Sequence, residues 1–481
     1  MATASASTRR RTPYQVTFGL LTVAGISFAF MQTLVVPALP FFQREFGVST
    51  GWVSWIATGF LLSSSVLTPI LGKLGDSYGK QRVLVISLVI FGVASLGAAF
   101  AWDLASLVFF RVLQGTGAAV FPLSFGIIRD EFPPERVGLA VGIVSSVFGV
   151  GGGIGLLMSG VILQTLDWPW LFLIGAVPVL VAAALIAVLV PSSPRSPATR
   201  PDVAGAVALS LALVALLLGV SEGPGWGWLS PGVVGLFAAA LVLFALWVAI
   251  ERRVAEPMVD LVTFSQRGMA VTNLVTFLIG FSMFSNFILL PGFVQLPAGL
   301  PPDVAARVDY GFGASPVATG LFFLPSSIAM VAAGPIAGAI GARTGAALPL
   351  RVGAGLMALA MGLLALFHDE PWMVYVWMTL MGTGIAIALT SVGTLVLDHV
   401  SPEQTGVASG MNSIMRTVGA AFGGQVAATV VAATVLSGTD VPAEHGFTLA
   451  FGMSGVAALL AVLATGLLEP RRRLSPAARD A

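Results

Sequence analysis

The chain has 481 residues, of which 57% are hydrophobic and 9% are charged. A soluble globular protein carries about 25% charged residues, so this composition excludes that class and favours a membrane protein. The net charge of +1 gives no indication of binding to nucleic acid, and the absence of cysteine excludes disulfides and thiolate metal sites within the chain.

Fourteen apolar segments follow one another along the chain. Most exceed about 18 residues, the length that crosses a hydrocarbon core of roughly 30 Å, so we predict fourteen transmembrane helices. In chain order they cover residues 16–40, 51–72, 82–102, 104–128, 137–162, 169–191, 203–221, 230–250, 269–296, 316–341, 346–367, 372–396, 405–436 and 446–468.

One sequence pattern occurs twice. The pattern D-x-x-x-P-E-x-x-G-x-A-x-G begins at Asp130 and again at Asp398, an offset of 268 residues (398 − 130). Such a duplication predicts two equivalent six-helix bundles packed around a shared cavity, as in transporters. We assign residues 1–192 to an N-terminal six-helix bundle and 268–481 to a C-terminal six-helix bundle with a cytoplasmic tail. Residues 193–267 then form a linker with two extra transmembrane helices.

The distribution of Lys and Arg predicts the orientation. If the N-terminus is cytoplasmic, most of these cations fall on the cytoplasmic side, and Arg44 and Arg307 are the clear exceptions. Both termini are therefore predicted to be cytoplasmic. The longest outer loop, residues 297–315, is either a lid over the cavity or a solvated connection.

The turn between the second and third predicted helices combines glycines with charges. It contains Gly72, Asp76, Gly79, Lys80 and Arg82. The glycines permit close backbone approach, and Asp76 can accept hydrogen bonds from a helix N-terminus or pair with one of the two cations. Contacts that form in one conformation and break in another bias an alternating-access equilibrium. We predict a gating latch here; the alternative is a cationic loop with a helix cap.

Small residues recur at interface spacing in the fifth predicted helix and in its copy. Gly151 and Gly155 form a small-xxx-small pair, and Gly419 and Gly423 repeat it 268 residues later. Such pairs let two helix backbones approach closely. We therefore predict a helix interface in each half, with either a packing or a gating role.

Two arginines lie well inside predicted helices. An unpaired charge at the position of Arg111 or Arg416 costs at least about 2.5 kcal/mol, so each side chain must face water, a carbonyl or an anion. We predict that both act in coupling or in the cavity, with a structural role as the alternative.

The segment from Gly72 to Arg82 is similar at every position to the signature loop of the major facilitator superfamily, G-x-L-x-D-x-x-G-[RK]-x-R. With the fourteen helices, the Arg111 and Gln114 pair and the glycine-rich fifth helix, nearly the whole chain resembles the drug:proton antiporter branch with two extra helices. The resemblance implies an all-α membrane fold of two six-helix bundles plus two additional helices.

The resemblance also implies roles for individual residues. It places Arg111 at the cavity or in proton transfer, and it assigns the antiporter glycines of the fifth helix; Gln114 is a further candidate for coupling or the cavity. These glycines are Gly149, Gly151, Gly155 and Gly160. The expected substrate cavity is mostly apolar with a few amides, which suits a bulky hydrophobic ligand. Its candidate residues are Gln32, Thr33, Phe284, Asn286, Gln295 and Asn412.

The chain departs from the branch where a proton carrier is expected. The first helix has Phe30, Met31, Gln32 and Thr33 where the branch usually has L-D-x-T, so the membrane-embedded acid is missing. None of the 22 acidic residues lies near the middle of a predicted helix. Either Asp76 or a peripheral acid is the coupling group, or the usual coupling is altered in this chain.

The leading hypothesis is export of a hydrophobic small molecule, such as an antibiotic, by proton-coupled alternating access. We expect a monomer in the bacterial cytoplasmic membrane, with no cofactor, metal or nucleic acid. The alternatives are an exporter or flippase of a lipid or an organic anion, whose head Arg111 and Arg416 neutralise, and a facilitator without proton coupling. A membrane enzyme or a receptor is less well supported, since no nucleophile or metal cluster accompanies the three histidines.

Overall fold

The computed structural model describes residues 13–48, 50–192, 202–254, 257, 259, 261–297, 300, 302–401, 404–439 and 441–468. Within these ranges the chain is almost entirely helical. The α-helices are, in chain order, α1 Tyr14–Leu34, α2 Leu39–Glu45, α3 Thr50–Tyr78, α4 Lys80–Ala99, α5 Leu104–Gln114, α6 Val120–Glu131, α7 Pro134–Thr165, α8 Trp170–Leu189, α9 Val203–Trp226, α10 Pro231–Glu251, α11 Leu261–Ser265, α12 Arg267–Gln295, α13 Pro302–Ala305, α14 Pro316–Thr344, α15 Ala347–Leu366, α16 Pro371–His399, α17 Thr405–Ala433 and α18 Glu444–Thr465.

The long helices coincide with the predicted membrane segments. Thirteen helices in the described ranges are long and apolar enough to cross a membrane, counting α5 and α6 with the 3-10 turn between them as one passage. The 32-residue helix α7 occupies the place of the fifth predicted segment. Helices predominate because each satisfies its own backbone hydrogen bonds in lipid. The predicted all-α membrane fold is confirmed.

The two copies of the repeat pack in the same way. In the first copy, α7 packs on α1, and α8 packs on α1 and α4. In the second copy, α17 packs on α12, and α18 packs on α12 and α15. Equivalent sequences therefore form equivalent helix pairs, while the assignment of the domain boundaries stays a prediction.

The predicted glycine pairs lie at these equivalent contacts. A Cβ on Gly151 would lie 2.6 Å from the Cβ of Ala29 on α1, and one on Gly155 would lie 2.7 Å from the carbonyl oxygen of Phe30. Both distances are shorter than van der Waals contact, so only glycine lets α7 come this close to α1. Gly160 is half-buried farther along α7. The surroundings of Gly149 lie outside the described residues.

The second copy repeats this contact between α17 and α12. A Cβ on Gly419 would overlap the backbone of Phe277, and one on Gly423 would overlap the backbone of Phe281. The repeated small-xxx-small pairs therefore serve the same purpose in both halves, which is close helix packing.

The two halves meet along two seams, one between α3 and α17 and one between α7 and α14. Glycines lie at both. Gly72 of α3 contacts Gly406 of α17 through their backbones, and Gly142 of α7 contacts Gly334 of α14. These contacts close one end of the bundle, which we call the Asp76 end; it carries the α3–α4, α6–α7, α14–α15 and α16–α17 turns.

The two extra helices cover the α3–α17 seam from outside. α9 packs on α10, α3 and α17. Its Leu209 and Leu213 share an apolar cluster with Leu62 of α3 and Met411 of α17. The extra helices α9 and α10 are thus packed against the rest of the molecule, because α9 contacts both halves.

Polar contacts tie the extra helices to the Asp76 end. Lys73 of α3 donates from Nζ to the carbonyl oxygen of Pro257 at 3.1 Å. The buried carboxylate of Glu251 accepts hydrogen bonds from Trp247 Nε1 at 2.9 Å and from the Val259 amide at 3.2 Å. Residues 193–201 of the predicted linker lie outside the described residues.

The segment predicted as the longest outer loop is anchored to the second half. Arg307 Nη2 donates to the carbonyl oxygen of Ser437 at 2.7 Å, and the Tyr310 hydroxyl donates to the carbonyl oxygen of Pro442. The amide of Phe312 donates to the carbonyl oxygen of Val294 at 3.2 Å. Its described residues are therefore hydrogen-bonded to the C-terminal end of α12 and to the segment that follows α17.

The glycine contact predicts a sharp difference between neighbouring positions. Gly423→Ala should lower the free energy of unfolding by about 1–3 kcal/mol, because the added methyl group overpacks the α12 backbone. Gly424→Ala is the matched control, since its Cβ would meet only the Ile288 side chain at 3.5 Å. Thermal unfolding of the purified variants measures both. Equal stability of the two variants would contradict the close-packing role.

Candidate functional site

Asp76 caps a helix of the opposite half. Its carboxylate accepts hydrogen bonds from the amides of Gly406 at 3.1 Å and Val407 at 3.0 Å, in the first turn of α17. These amides lack partners within the helix, and the partial positive charge of the N-terminus favours an anion. The neighbouring Gln404 provides no side-chain cap. Asp76 therefore acts as the N-cap of α17 across the α3–α17 seam.

Two glycines make this cap possible. A Cβ on Gly72 would overlap the carbonyl group of Gly406, and one on Gly406 would lie 2.9 Å from the Asp76 carboxylate. Gly79 follows with φ at 102°, a left-handed conformation that favours glycine, and starts the turn into α4. Gly72, which was predicted for the latch, and Gly406, which was not, thus set the distance between Asp76 and α17.

Lys80 forms an ion pair within the first half. Its Nζ lies 2.8 Å from Asp130 Oδ2, and both side chains are nearly buried. The lysine stem passes over Gly126, where a Cβ would come within 2.5 Å of it. Arg82 is exposed on α4. Of the interactions predicted for Asp76 in the latch, the structure shows hydrogen bonds from a helix N-terminus to its carboxylate.

Arg129 crosses the same seam, which sequence reasoning missed. Its Nη1 donates to Thr405 Oγ1 and its Nη2 to the carbonyl oxygen of Val400, both at 2.9 Å. A cation here complements the negative C-terminal end of α16. The sequence signal was the asymmetry of the repeat, since Leu397 stands 268 residues later in the second copy.

The other seam lacks these charges. Ala342 holds the place of Asp76 in the second copy, four residues after Gly338. Its Cβ lies 3.8 Å from where a Cβ on Gly138 would be, and the Gly338 carbonyl oxygen is 3.0 Å from the same point. The α3–α17 seam is therefore held by charged side chains at helix ends. The α7–α14 seam is held by close packing of backbone and methyl groups. Separation of the halves at the α3–α17 seam would break these electrostatic contacts.

Arg111 and Gln114 are buried inside the first half. Arg111 Nε donates to the carbonyl oxygen of Ile56 at 3.0 Å, and Nη1 donates to Gln114 Oε1 at 2.7 Å. The guanidinium lies 4.3 Å from the ring centroid of Phe60. Gln114 Nε2 donates to Ser95 Oγ at 2.9 Å. This network braces α3, α4 and α5, and neither residue lines the cavities described next.

Two small adjoining chambers lie between the halves. They have volumes of about 50 and 30 Å³ and share Phe121, Ser413 and Arg416 in their walls. A pocket for a drug-sized ligand has roughly 300–1,000 Å³. The cavity is therefore contracted in this conformation, consistent with the closed Asp76 end.

Several predicted cavity residues line these chambers. Gln32 and Phe284 border the smaller one, and Asn412 borders the larger. Asn412 Nδ2 also donates to Asn273 Oδ1 and Thr276 Oγ1, both at 2.9 Å, and so joins α17 to α12.

The other predicted cavity residues lie elsewhere. Thr33 Oγ1 donates to the carbonyl oxygen of Gly152 at 3.1 Å and belongs to the α1–α7 contact. Asn286 lines a separate space of about 10 Å³ and donates to Met378 Sδ at 3.5 Å. Gln295 is the last residue of α12.

The chamber walls hold buried polar atoms without a protein partner. They are Gln32 Oε1, Ser64 Oγ, Ser145 Oγ and Ser409 Oγ. An unsatisfied buried polar group costs about 1–3 kcal/mol, so such groups are normally paired with a water molecule or with a polar atom of a ligand. Among the described residues, no carboxylate borders either chamber.

Comparison with known proteins identifies what this architecture resembles. The family model described as Major Facilitator Superfamily matches residues 21–424. The lincomycin resistance protein of Streptomyces lincolnensis is 31% identical over 96% of this chain and 92% of its own length. The tetracenomycin C resistance and export protein of Streptomyces glaucescens is 29% identical over 84% of this chain and 73% of its own.

Solved structures share the fold at low sequence identity. The human organic anion transporter MFSD10 superimposes with a TM-score of 0.65 at 17% identity, covering 94% of this chain and 99% of its own. The proton:xylose symporter XylE gives a TM-score of 0.61 at 15% identity, covering 93% of this chain and 94% of its own. At these identities the likeness concerns the fold alone.

The cap on α17 predicts a change in the conformational equilibrium. Asp76→Asn removes the charge but keeps the shape, and should favour opening of the Asp76 end by roughly 2- to 30-fold, the range of a charge at a helix N-terminus. The chain has no cysteine, so a Val396→Cys reporter in the larger chamber is unique. The rate at which this cysteine reacts with a water-soluble maleimide should rise by the same factor.

The matched control is Asp303→Asn, which removes an exposed carboxylate on α13. It should leave the rate unchanged. An equal labelling rate in wild type and Asp76→Asn would contradict a latch at this position.

The Arg111 network predicts a defect in stability. Arg111→Met should lower the free energy of unfolding by about 1–3 kcal/mol, because it leaves buried polar groups of Gln114 and Ile56 without their partner. Arg343→Met, on an exposed arginine, is the control. Unchanged thermal unfolding together with lost transport would instead favour the coupling role.

Proposed function

Because the chain belongs to the major facilitator superfamily, we propose that this multi-pass membrane protein exports hydrophobic small molecules, including antibiotics, by alternating access. One observation carries the proposal: a central cavity lies between two equivalent halves whose contact at one end depends on the Asp76 cap. Such a contact is made in one conformation and lost in the other, so it biases which face the cavity opens to.

The names of the relatives support the direction of transport. Proteins that share 29–31% identity over most of this chain are named for resistance to, or export of, antibiotics. The apolar walls around Phe121, Phe125 and Phe284 support a hydrophobic substrate.

We place the protein as a monomer in the cytoplasmic membrane, with both termini and the Asp76 end in the cytoplasm. The excess of Lys and Arg on the loops of this end supports the orientation. In this arrangement the structure is closed toward the cytoplasm.

Proton coupling is part of the proposal. Asp76 is the acid through which protonation changes the contact between the halves, since a neutral carboxyl group is a weaker cap for α17. The ion pair of Lys80 and Asp130 lies beside the same turn. Proton binding and opening of the Asp76 end are thereby linked, without an acid in the cavity wall.

Growth of a drug-sensitive bacterium on a panel of toxic compounds tests the proposed export. Cells that produce the protein should tolerate several hydrophobic compounds at concentrations at least about fourfold higher, and the Asp76→Asn variant should lose this protection at equal membrane abundance. Everted vesicles should accumulate the same compounds and stop when a protonophore is added. Uptake that the protonophore leaves unchanged, and that stops at equal concentrations on the two sides, would replace proton antiport with a facilitator, and protection against no compound would reject export.

A further inference from the structure

The position of Arg416 gives the central cavity a positive charge. The residue lies well inside α17 and borders both chambers. Its backbone packs directly on Gly280 of α12, where any larger residue would overlap the Arg416 carbonyl group. This close helix contact fixes the position of the Arg416 backbone. The Arg416 side chain lies in the walls of the two chambers.

The walls around Arg416 contain no opposing charge. Apart from this arginine, the described residues that border the two chambers are apolar, hydroxyl-bearing or amide residues. A cation in such low-dielectric surroundings attracts an anion and repels another cation far more strongly than it would in water. The other buried arginine, Arg111, borders neither chamber, because its guanidinium is held within the first half.

Hydroxyl groups complete a site for an acidic group. Ser64, Ser145 and Ser409 are each at least nine-tenths buried, border the chambers and have hydroxyl oxygens without a protein partner. A hydroxyl can donate to a carboxylate oxygen, and a guanidinium has five N–H donors, enough to bind a carboxylate beside its existing contacts. Gln32 provides an amide on the same wall.

We propose that the exported compounds carry one acidic group, such as a carboxylate or a phenolate, on an apolar body, and that Arg416 binds this group. The inference rests on the proposed export function and names its substrate class. The phenylalanines of the walls hold the apolar body, while Arg416 and the serine hydroxyls replace the water that the acidic group gives up. Compounds with a cationic group are disfavoured, because nothing in the described walls neutralises a second positive charge.

Three probes of one shape but different charge test this inference. They are anthracene-9-carboxylate, its neutral primary amide and the cation 9-(aminomethyl)anthracene. Affinities are measured by titration calorimetry on the full chain in lipid nanodiscs, with empty nanodiscs subtracted. All three must enter an expanded cavity, so the free-energy cost of expansion cancels in their ratios.

The carboxylate should bind roughly tenfold or more tightly than the amide, as expected for a charge-assisted hydrogen bond, and the cation should bind most weakly. Arg416→Gln should reduce the ratio of carboxylate to amide affinity to about one, and Arg416→Lys should keep most of it. Arg343→Gln, which removes an exposed arginine, should change nothing.

Three other results would contradict the proposed role of Arg416. Equal affinity of wild type for carboxylate and amide, tighter binding of the cation, or no binding of the carboxylate would overturn the assignment of Arg416. These results leave export itself untouched, because the growth panel decides export separately. If Arg416→Gln fails to fold, the wild-type ratios and Arg416→Lys still decide.

Discussion

The carboxylate of Asp76 joins the two halves of the molecule by capping α17 with two hydrogen bonds. These hydrogen bonds require α3 and α17 to be close together, and Gly72 and Gly406 let the two backbones come into contact. The partial charge of a helix N-terminus falls off within its first turn, so the cap acts only when the halves are in contact. A contact of this kind distinguishes strongly between a closed and an open end.

The pseudo-symmetry of the chain makes the differences between its halves informative. Asp76 and Arg129 are present in the first copy, whereas Ala342 and Leu397 hold their places in the second. The α7–α14 seam consequently packs through backbone and methyl groups, while the α3–α17 seam depends on charge. Helix α9 covers the charged seam and ties it to the linker, so movement there involves the two extra helices as well.

The two buried arginines illustrate how one sequence signal leads to two structural outcomes. Both lie inside apolar helices, and both need a partner for their charge. Arg111 has carbonyl and amide acceptors within its own half and an aromatic ring beneath it, so its contacts are internal to that half. Arg416 borders the chambers between the halves, where the proposed substrate would bind. Sequence position gave no means to separate them, because the direction of a side chain depends on how neighbouring helices are placed.

The sequence alone determined the helical membrane fold, the helix positions and the equivalent glycine contacts, because bilayer thickness and backbone packing constrain residue type directly. It also singled out Asp76, which the structure places at the α3–α17 seam, and Gln32, Phe284, Asn412 and Arg416, which it places in the chamber walls, while their functional roles stay predictions. Only the tertiary structure decided that Asp76 caps α17 and that Arg129 donates hydrogen bonds across the same seam. It also decided that Thr33 and Arg111 form hydrogen bonds to neighbouring helices. These assignments depend on contacts between residues far apart in the chain, such as Asp76 and Val407, whose meeting no local pattern specifies.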